Sequence, residues 1–473
     1  MLRNQISEED ASYGDPTLGV NLRDGEQDLR ANESRLMQNA EYYGGIRMRR
    51  GSIRFNTTSL GAFSILGGTK FYYGGVSPLS KRLIAYNNRV SVIADNGGET
   101  ILTSAQTANL PTFFATWSIT SKVYVTNGTD TLRSYDGTTW ANVVGTNIPV
   151  VRARAVPVLD RILAITSNGI ERTSPRDPTV WSANSSWATL RPQHPGLFTA
   201  LYPYTLRGVD ALYTGAIAFQ ERAHYLITGT DYGTDASAVS ASSGENVSIQ
   251  LLDPVVGTAS PDSVCSVPGI GLFWFTTDLN VYWLPEGTLT GRFVGDKIQS
   301  TGTTAGIESV NKSQLANVWM AYFDHMLVLS VPVGTDTFSS TQWWMDIRSL
   351  RTYPERGPVW YGPMTGQTIN RVWVENQQGD NKLVGGEGDS TKGAFVYQLR
   401  APSVFTDATG VTDTAITLTY QTNFKDFGVP SREKYIQAVH MDLNQFSGTA
   451  TLDLLSLDGT IVSGLSIDQV TNV

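Results

Sequence analysis

The stretch SKVYVTNGTDTLRSYDGTTWANVV, residues Ser121–Val144, decides the fold because two strands, two tight turns and a tryptophan fall within one short unit. Val123 and Val125 alternate with less apolar neighbours, which is typical of a half-buried strand. Asn127-Gly128 favours a hairpin turn, and Leu132–Tyr135 follows as the partner strand. A single small sheet cannot bury both of its faces, so this unit predicts a stack of similar units.

A second turn in the same unit is the predicted anchor of one blade. The segment SYDGTTW, Ser134–Trp140, resembles the Asp-box turn of sialidase propellers, S-x-D-x-G-x-x-W, with one residue fewer between Asp136 and Gly137. The Asp-box is a structural turn that is remote from the sialidase active site. We therefore expect Asp136 and Gly137 to form a turn and Trp140 to cover the end of a small sheet.

Similar units recur along the chain. Short apolar strands lie 39 to 56 residues apart and are centred on Leu83, Val123, Ile162, Ile217, Phe273, Leu327 and Val372. Each is followed by a turn signal: Asn87-Asn88, Asn127-Gly128, Asn168-Gly169, Thr228-Gly229, Asp278, Gly334 and Gln378-Gly379. This spacing is close to the ~40–50 residues of a propeller blade. The sequence predicts an all-β protein with a β-propeller of six or seven blades.

Composition agrees with this fold class and suggests the domain boundaries. The chain has 473 residues with 45 glycines and 20 prolines, and its only helical pattern is Asn32–Tyr43. Residues 1–45 are polar and predict an extended N-terminal arm that orders on contact with a neighbouring protein. We expect the propeller at 46–400, a linker at 401–411, and a C-terminal β domain at 412–473, either a small β-sandwich or an added sheet with a hairpin turn at Asp458-Gly459.

Catalytic, cofactor and metal motifs are not found in the sequence. The four histidines are far apart, and no G-x-S-x-G or phosphate-loop motif occurs, so we expect no enzyme, no cofactor and no metal site. His224 and His325 lie in apolar patterns and are expected in the core or an interface, and the single cysteine, Cys265, is expected to be buried. No apolar run is long enough to cross a membrane. The formal charge of −8 argues against a stable grip on nucleic-acid phosphates.

A basic segment follows the polar arm. In GGIRMRRGSIRFN, residues Gly44–Asn56, the apolar residues are expected to face inward and the arginines outward. One interpretation is a solvated strand edge that charge protects from pairing. The other is a docking strip for a neighbouring subunit or protein, with the candidate residues Arg47, Arg49, Arg50 and Arg54.

The order of these features resembles a known family. The segments QNAEYYGGIRMRRGSIRFN, TSNGIERTSPRDPTVWS, GIGLFWFTTDLNVYWLPEG and YFDHMLVLSVPVG are similar to the tail hub or nozzle proteins of short-tailed bacteriophages, also called tail tubular protein B or packaged-DNA stabilisation proteins. The resemblance implies six-fold rings of propeller subunits in the virion tail, below the portal and adaptor. Such rings extend the DNA channel and help to retain and then release the packaged genome.

The resemblance also implies a set of binding partners, and a second function remains as an alternative. It implies a hexameric homo-oligomer that contacts the head-to-tail adaptor and other tail proteins such as fibres, needle or spike, with duplex DNA passing through without specific binding. The alternative is a carbohydrate-binding or glycan-cleaving propeller that acts as a receptor-binding protein. A sugar site needs exposed aromatic residues, whereas most tryptophans here lie inside strand patterns such as LFWFTTDLNVYWL and QWWMD, which favours the structural role.

Overall fold

The protein is almost entirely built of antiparallel β-strands. A computed structural model describes residues 16–25, 28–74, 79–158, 160–181, 190, 192–207, 212–228, 248–300, 305–352, 357–377, 380–422, 450–455 and 461–467. Within these ranges there is one α-helix, α1 (Ile347–Thr352), and four short 3-10 segments, at Pro261–Ser263, Asp296–Ile298, Ile307–Ser309 and Lys312–Asn317. None of the helices in the described ranges is long and apolar enough to span a membrane.

Seven four-stranded sheets form the blades of a propeller, and in six of them the strands follow chain order. Blade 1 consists of β5 (Ile65–Tyr73), β6 (Leu79–Tyr86), β7 (Arg89–Ile93) and β8 (Glu99–Thr103). Blade 2 consists of β9 (Phe113–Trp117), β10 (Lys122–Thr126), β11 (Arg133–Tyr135) and β12 (Trp140–Asn142). Blade 3 consists of β13 (Val156–Val158), β14 (Arg161–Ile165), β15 (Ile170–Ser174) and β16 (Asp177–Trp181).

The next three blades continue this pattern. Blade 4 consists of β17 (Ala200–Arg207), β18 (Leu212–Phe219), β19 (His224–Thr228) and β20 (Ser248–Asp253). Blade 5 consists of β21 (Val264–Val267), β22 (Gly271–Phe275), β23 (Val281–Pro285) and β24 (Arg292–Phe293). Blade 6 consists of β25 (Trp319–Phe323), β26 (Met326–Val331), β27 (Thr341–Asp346) and β28 (Val359–Met364).

Blade 7 closes the ring with strands from both ends of the propeller. It consists of β29 (Ile369–Gln377), β30 (Asp380–Glu387) and β31 (Val396–Leu399), and its outermost strand is β4 (Ile53–Arg54) from the N-terminal region. Tyr397 pairs with Arg54 and Gln398 with Ile53. The prediction of six or seven blades is therefore confirmed, and the number is seven.

The predicted strand centres correspond closely to the blades. Six of the seven centres fall in the second strand of successive blades, from β6 to β26, whereas Val372 lies in β29, the first strand of blade 7. The predicted turns at Asn87-Asn88, Asn127-Gly128 and Asn168-Gly169 connect the second and third strands of blades 1, 2 and 3. Gln378-Gly379 lies outside the described residues.

Blade faces are buried on both sides, which the alternation in blade 2 did not predict. Val123, Tyr124 and Val125 are all buried, because each blade is covered by its neighbours on both faces. A hydrophobic cluster fills the interface between each pair of neighbouring blades. The last interface joins Ile65 and Ile84 of blade 1 to Trp373 and Val384 of blade 7, so that the ring is continuous.

The N-terminal region is extended, but the predicted helix at Asn32–Tyr43 is wrong. This segment forms β1 (Ser34–Gln38) and β2 (Ala40–Tyr42), with Asn39 between them at φ 55°. A third strand, β3 (Ile46–Met48), pairs with β2. Pairing with other strands overrides a weak helical preference here.

The prediction that the arm orders mainly on contact with a neighbouring subunit or tail protein is wrong for residues 16–25 and 28–45. Leu18, Val20 and Leu22 are buried, and the latter two belong to the core cluster of blades 5 to 7. Three apolar side chains at alternate positions are enough to dock an extended segment on an existing core. Residues 1–15 lie outside the described residues.

Strands after the propeller return to its side. β32 (Thr406–Thr409) lies within the segment expected as a linker and pairs with β33 (Thr412–Ala415), while β34 (Thr419–Thr422) pairs with β1. Farther along, β35 (Ala450–Leu455) pairs with β36 (Ile461–Ile467) in the predicted hairpin arrangement. The proposed turn residues Asp458-Gly459 lie outside the described residues.

Candidate assembly surface

The strands from the two ends of the chain lie beside blades 6 and 7 as three two-stranded sheets, β1 with β34, β2 with β3 and β32 with β33, next to β4 of blade 7. We call these strands, β1–β4 together with β32–β34, the terminal layer. The segment leading into it is bound to the propeller through its backbone. Val20 N donates to Trp360 O at 2.8 Å and Leu22 N to Lys297 O at 2.8 Å, while Asn39 N donates to Pro363 O at 3.1 Å. Backbone hydrogen bonds therefore hold the N-terminal part of the terminal layer against the propeller.

Arg49 is the central connection of this layer. Its guanidinium donates to both carboxylate oxygens of Asp407, with Nη1 3.0 Å from Oδ1, and its Nη2 is 2.6 Å from Thr365 O. Its Nε donates to Asn39 Oδ1 at 2.9 Å. Because a buried charge is tolerated only when it is paired, this arginine holds β32 against the N-terminal strands and the end of blade 6. The prediction that Arg49 faces outward is wrong, since only 2% of the residue is exposed.

A second buried pair lies close to the first. Arg400 Nη2 donates to Glu41 Oε2 at 3.1 Å, and the guanidinium lies 4.3 Å from the ring centre of Trp344. Burial lowers the pKa of Arg400, and the carboxylate of Glu41 opposes this shift. The same carboxylate is 3.3 Å from Arg47 Nε, so Glu41 joins a buried arginine to a surface arginine.

The other residues of the predicted docking strip lie nearer the surface. Arg47 is exposed and stacks on Tyr43, with its guanidinium 4.5 Å from the ring centre. Arg348 of α1 approaches the same ring at 5.4 Å. Arg50 and Arg54 are half-buried, and Arg54 forms an ion pair with Asp413 of β33. Three of the four arginines of the predicted docking strip are therefore accessible, and the fourth, Arg49, is buried.

Exposed apolar side chains surround these arginines, contrary to the expectation that the apolar residues of the strip face inward. Tyr43 is 60% exposed and Val411 is 72% exposed. The other large apolar residues exposed on this layer and its loops are Ile46, Ile53, Phe405 and Leu418. Aromatic and aliphatic groups next to arginine are typical of protein–protein interfaces, and scattered exposed residues elsewhere need no such explanation.

Free strand edges add to the same surface. Among the described strands, β33 pairs only with β32 and β3 only with β2, and all four residues of β33 are exposed. An unpaired edge offers a row of backbone donors and acceptors that a strand from another chain can use. The terminal layer therefore combines charge, apolar area and backbone groups on one side of the propeller.

The predicted blade anchor is a structural turn at the boundary of blades 1 and 2. Asp136 Oδ1 accepts from Thr138 N at 2.9 Å and Thr139 N at 2.7 Å, and these backbone donors lower the pKa of Asp136. Gly137 has φ 100°, and a Cβ there would lie 2.5 Å from the ring of Tyr73. Trp140 is only half-buried and packs against the cluster between these blades, so it contributes less than a core tryptophan.

Groups with catalytic potential are scattered or buried. No set of three His, Cys, Asp or Glu residues in the described ranges could hold a metal ion. Cys265 is buried as predicted, and burial raises the pKa of its thiol to about 12. His224 is buried as predicted, whereas His325 is exposed in the turn between β25 and β26. The core alternative is therefore wrong for His325, and its place in an interface stays a prediction. His440 lies outside the described residues.

The sequence alone did not reveal the long-range ion pairs of the terminal layer. Arg49 and Asp407 are 358 residues apart, and Arg400 and Glu41 are 359 residues apart. No local motif connects such partners. The only sequence feature that pointed to these ion pairs was the position of single charged residues next to apolar strands, because a buried charge there requires an oppositely charged partner.

Comparisons with known proteins do not assign the chain to a family. No protein-family model matches the chain, and no curated protein matches it either. Among solved structures, it is similar to YCF48 bound to D1 peptide, with 9% identity, a TM-score of 0.43, and coverage of 78% of this chain and 99% of that one. It is also similar to YCF48 from Cyanidioschyzon merolae, with 10% identity, a TM-score of 0.39, and coverage of 74% and 98%.

The WD40 β-propeller domain of Doa1 is a third such structure. It has 9% identity and a TM-score of 0.39, and the match covers 72% of this chain and 99% of that domain. These similarities are too low to carry an argument about function. The class defined by the seven sheets themselves is a seven-bladed β-propeller with an added terminal layer.

Proposed function

We propose that this chain is a structural subunit of a short bacteriophage tail, a hub or nozzle protein of the virion. In this role, copies form a ring below the portal and adaptor that extends the DNA channel and helps to retain and then release the genome. The ring is a hexamer by resemblance, and its neighbours are the adaptor and other tail proteins. The subunit is not an enzyme, and duplex DNA passes through without specific binding.

The terminal layer is the observation that carries this proposal. It brings exposed apolar residues, Arg47 and free strand edges together on one side of a rigid propeller. The chain as a whole carries a formal charge of −8, which favours the approach of a second copy to the cation of Arg47. One of the four segments that carry the family resemblance also lies in this layer, where it forms β2, β3 and β4.

Tryptophan positions favour this role over the carbohydrate alternative. All ten tryptophans in the described ranges are buried or half-buried, and six of them are fully enclosed: Trp117, Trp181, Trp274, Trp319, Trp343 and Trp360. A sugar-binding platform needs aromatic rings that are open to solvent. The tryptophans here contribute to the interfaces between blades instead.

The oligomeric state of the purified protein tests the proposal. We expect six-fold rings in negatively stained fields and a mass six times that of the 51.5 kDa chain. The double variant Ile46→Ser/Arg47→Ser should be monomeric because it removes an exposed apolar group and a cation from the terminal layer. A matched control on blade 5, Leu289→Ser/Arg292→Ser, removes the same two kinds of exposed residue and should still form rings.

Other outcomes would contradict the proposal. A wild-type protein that stays monomeric at micromolar concentration, or a control variant that loses the ring as readily as the test variant, would exclude the terminal layer as the assembly surface. The ring should bind free duplex DNA no more tightly than the ~10⁻⁴–10⁻⁶ M of non-specific binding. Nanomolar and salt-resistant DNA binding, or turnover of a glycan, would indicate a different function.

A further inference from the structure

A large cavity lies over blade 4 and faces three basic side chains. Its volume is about 780 Å³, within the range of small-molecule sites. The lining includes Arg152, Arg222 and His194, against one acidic residue, Glu221. The formal charge of this lining is positive, whereas the formal charge of the whole chain is −8.

The cavity is surrounded by loops that lead into the first strands of the blades and by the turn between the second and third strands of blade 4. His194–Thr199 precedes β17, and the turn Gln220–Ala223 joins β18 to β19. Gln220 fixes this wall, because its Nε2 donates to Gly196 O at 2.9 Å and its Oε1 accepts from Tyr225 OH at 2.6 Å. The cavity is therefore held open by a hydrogen-bonded frame of buried side chains.

An ion-paired triad lies next to the cavity. Arg154 Nη2 is 3.2 Å from Asp262 Oδ1, and Arg371 Nε is 3.2 Å from Asp262 Oδ2. Arg154 precedes the first strand of blade 3, Asp262 precedes the first strand of blade 5, and Arg371 belongs to the first strand of blade 7. Side chains from blades 3, 5 and 7 of a seven-bladed ring can meet only across its central axis. The triad thus spans the central tunnel.

Within the described part of the chain, the triad holds two positive charges and one negative charge. Two guanidinium groups share a single carboxylate, and Arg371 is only 5% exposed. Burial lowers the pKa of Arg371 and Asp262 opposes this shift, as expected for a charge that is only partly compensated. The buried Nε atom of Arg154 has no hydrogen-bond acceptor among the described residues, whereas the Nε atom of Arg371 has its ion pair with Asp262.

Asp262 is fixed in place by its own 3-10 segment. Ser260 Oγ accepts from Asp262 N at 3.3 Å and donates to Val318 O at 2.6 Å. Pro261 and Ala153, the residues immediately before Asp262 and Arg154, both line the cavity. The cavity and the triad are therefore neighbouring parts of one basic region at the mouth of the tunnel.

We propose that this region binds an oxyanion, which is a phosphate or carboxylate group of a small ligand. Arg154 and Arg371 are its charged contacts, and the rest of the ligand occupies the cavity. Arginine donates from a planar fork that fits both kinds of oxyanion. The anion supplies the acceptor that the buried Nε atom of Arg154 lacks and a second negative charge beside the two guanidinium groups. The proposal is independent of ring formation by the terminal layer.

Calorimetric titration of the full-length protein near neutral pH, at constant ionic strength, tests this site. The probes are inorganic phosphate, glucuronate and, as the uncharged counterpart of glucuronate, glucose. We expect saturable binding of phosphate or of glucuronate, and the anion that binds identifies the source of the group. Glucose should not bind, because it lacks the charge.

Three variants connect the binding to the triad. Arg154→Gln should weaken binding about tenfold, which corresponds to the loss of one charge-assisted contact. Asp262→Asn should strengthen binding because the competing carboxylate is removed. Arg348→Gln, which removes a surface arginine paired with Asp346, should leave binding unchanged.

The proposal fails if wild-type protein binds neither anion, if glucose binds as tightly as glucuronate, or if Arg154→Gln binds as tightly as wild type. The side chain of Arg154 is 40% exposed, so this variant is expected to fold even if Asp262→Asn does not. A second measurement is the melting temperature, which should rise with anion concentration in wild type and less in Arg154→Gln.

Discussion

Some polar residues in this propeller are buried against a specific partner. His224, the first residue of β19, is 1% exposed, and its ring Nδ1 lies 2.7 Å from Val256 O. The ring is packed against Phe219 and Trp274, with centroid distances of 6.0 and 5.0 Å. Burial in this aromatic cluster lowers the pKa of His224 from its usual value of 6.5, because the charged imidazolium is desolvated.

This shift predicts a loss of stability on mild acidification. The unfolded chain binds a proton at His224 below about pH 6.5 while the folded chain does not, so the free energy of unfolding falls as pH falls through that value. Urea unfolding at several pH values between 7 and 5 measures the effect. His224→Gln should show a shallower pH dependence than wild type, whereas His325→Gln at an exposed turn should match wild type. Equal slopes for wild type and His224→Gln would show that this histidine is protonated in the fold.

Among the elements of the fold, the interface between blades 1 and 7 contains buried charged side chains in addition to apolar ones. Arg82 of β6 donates to both oxygens of Glu375 in β29, at 2.5 and 2.8 Å. Lys70 of β5 lies 3.8 Å from the same carboxylate. The guanidinium of Arg82 also lies 3.6 Å from the ring centre of Phe55, just after the closing strand β4. This cluster connects the first blade, the last blade and the closing strand.

Glu375→Gln should therefore destabilise the ring. The substitution keeps the shape of the side chain but leaves Arg82 and Lys70 with only the exposed carboxylate of Asp95, 3.0 Å from Arg82. Removing one partner of a buried pair costs about 3 kcal/mol or more. The urea midpoint should fall by the corresponding amount with little change in m value. Glu286→Gln, at an exposed position, is the control, and an equal midpoint for the two variants would show that the cluster contributes nothing.

For the whole molecule, closure of the ring depends on the N-terminal strands. β4 completes blade 7, and Val20 and Leu22 extend the core of blades 5 to 7. Without these strands, β31 has a free edge and the join between blades 7 and 1 loses Phe55. An open propeller exposes the apolar faces of its terminal blades.

Removal of residues 1–56 should consequently lower the melting temperature by about 10 °C or more, since several kcal/mol of burial and pairing are lost. Removal of residues 1–15 is the matched truncation, and it leaves β1–β4 intact. Calorimetry or circular dichroism melting compares the two. Identical melting of both truncated proteins would mean that the ring closes without β4.

Part of the candidate assembly surface could be predicted from the sequence. The basic strip after the polar arm was recognisable because arginines cluster in an acidic chain, and three of its four members are accessible. Arg49 could not be distinguished from its neighbours, because its burial depends on Asp407, 358 residues away. The triad of Arg154, Asp262 and Arg371 was equally hidden, since its members come from three separate blades.

The sequence by itself determined the central strands of the blades, several of the turns and the all-β class, because alternation and turn chemistry depend on residues that are close together in the chain. Only the tertiary structure decided that there are seven blades, that Ile53–Arg54 supplies the last strand, and that Asn32–Tyr43 is extended rather than helical. These outcomes depend on pairings across hundreds of residues, such as β4 with β31 and β1 with β34. A short segment adopts the conformation that its distant partners stabilise, and no local pattern encodes those partners.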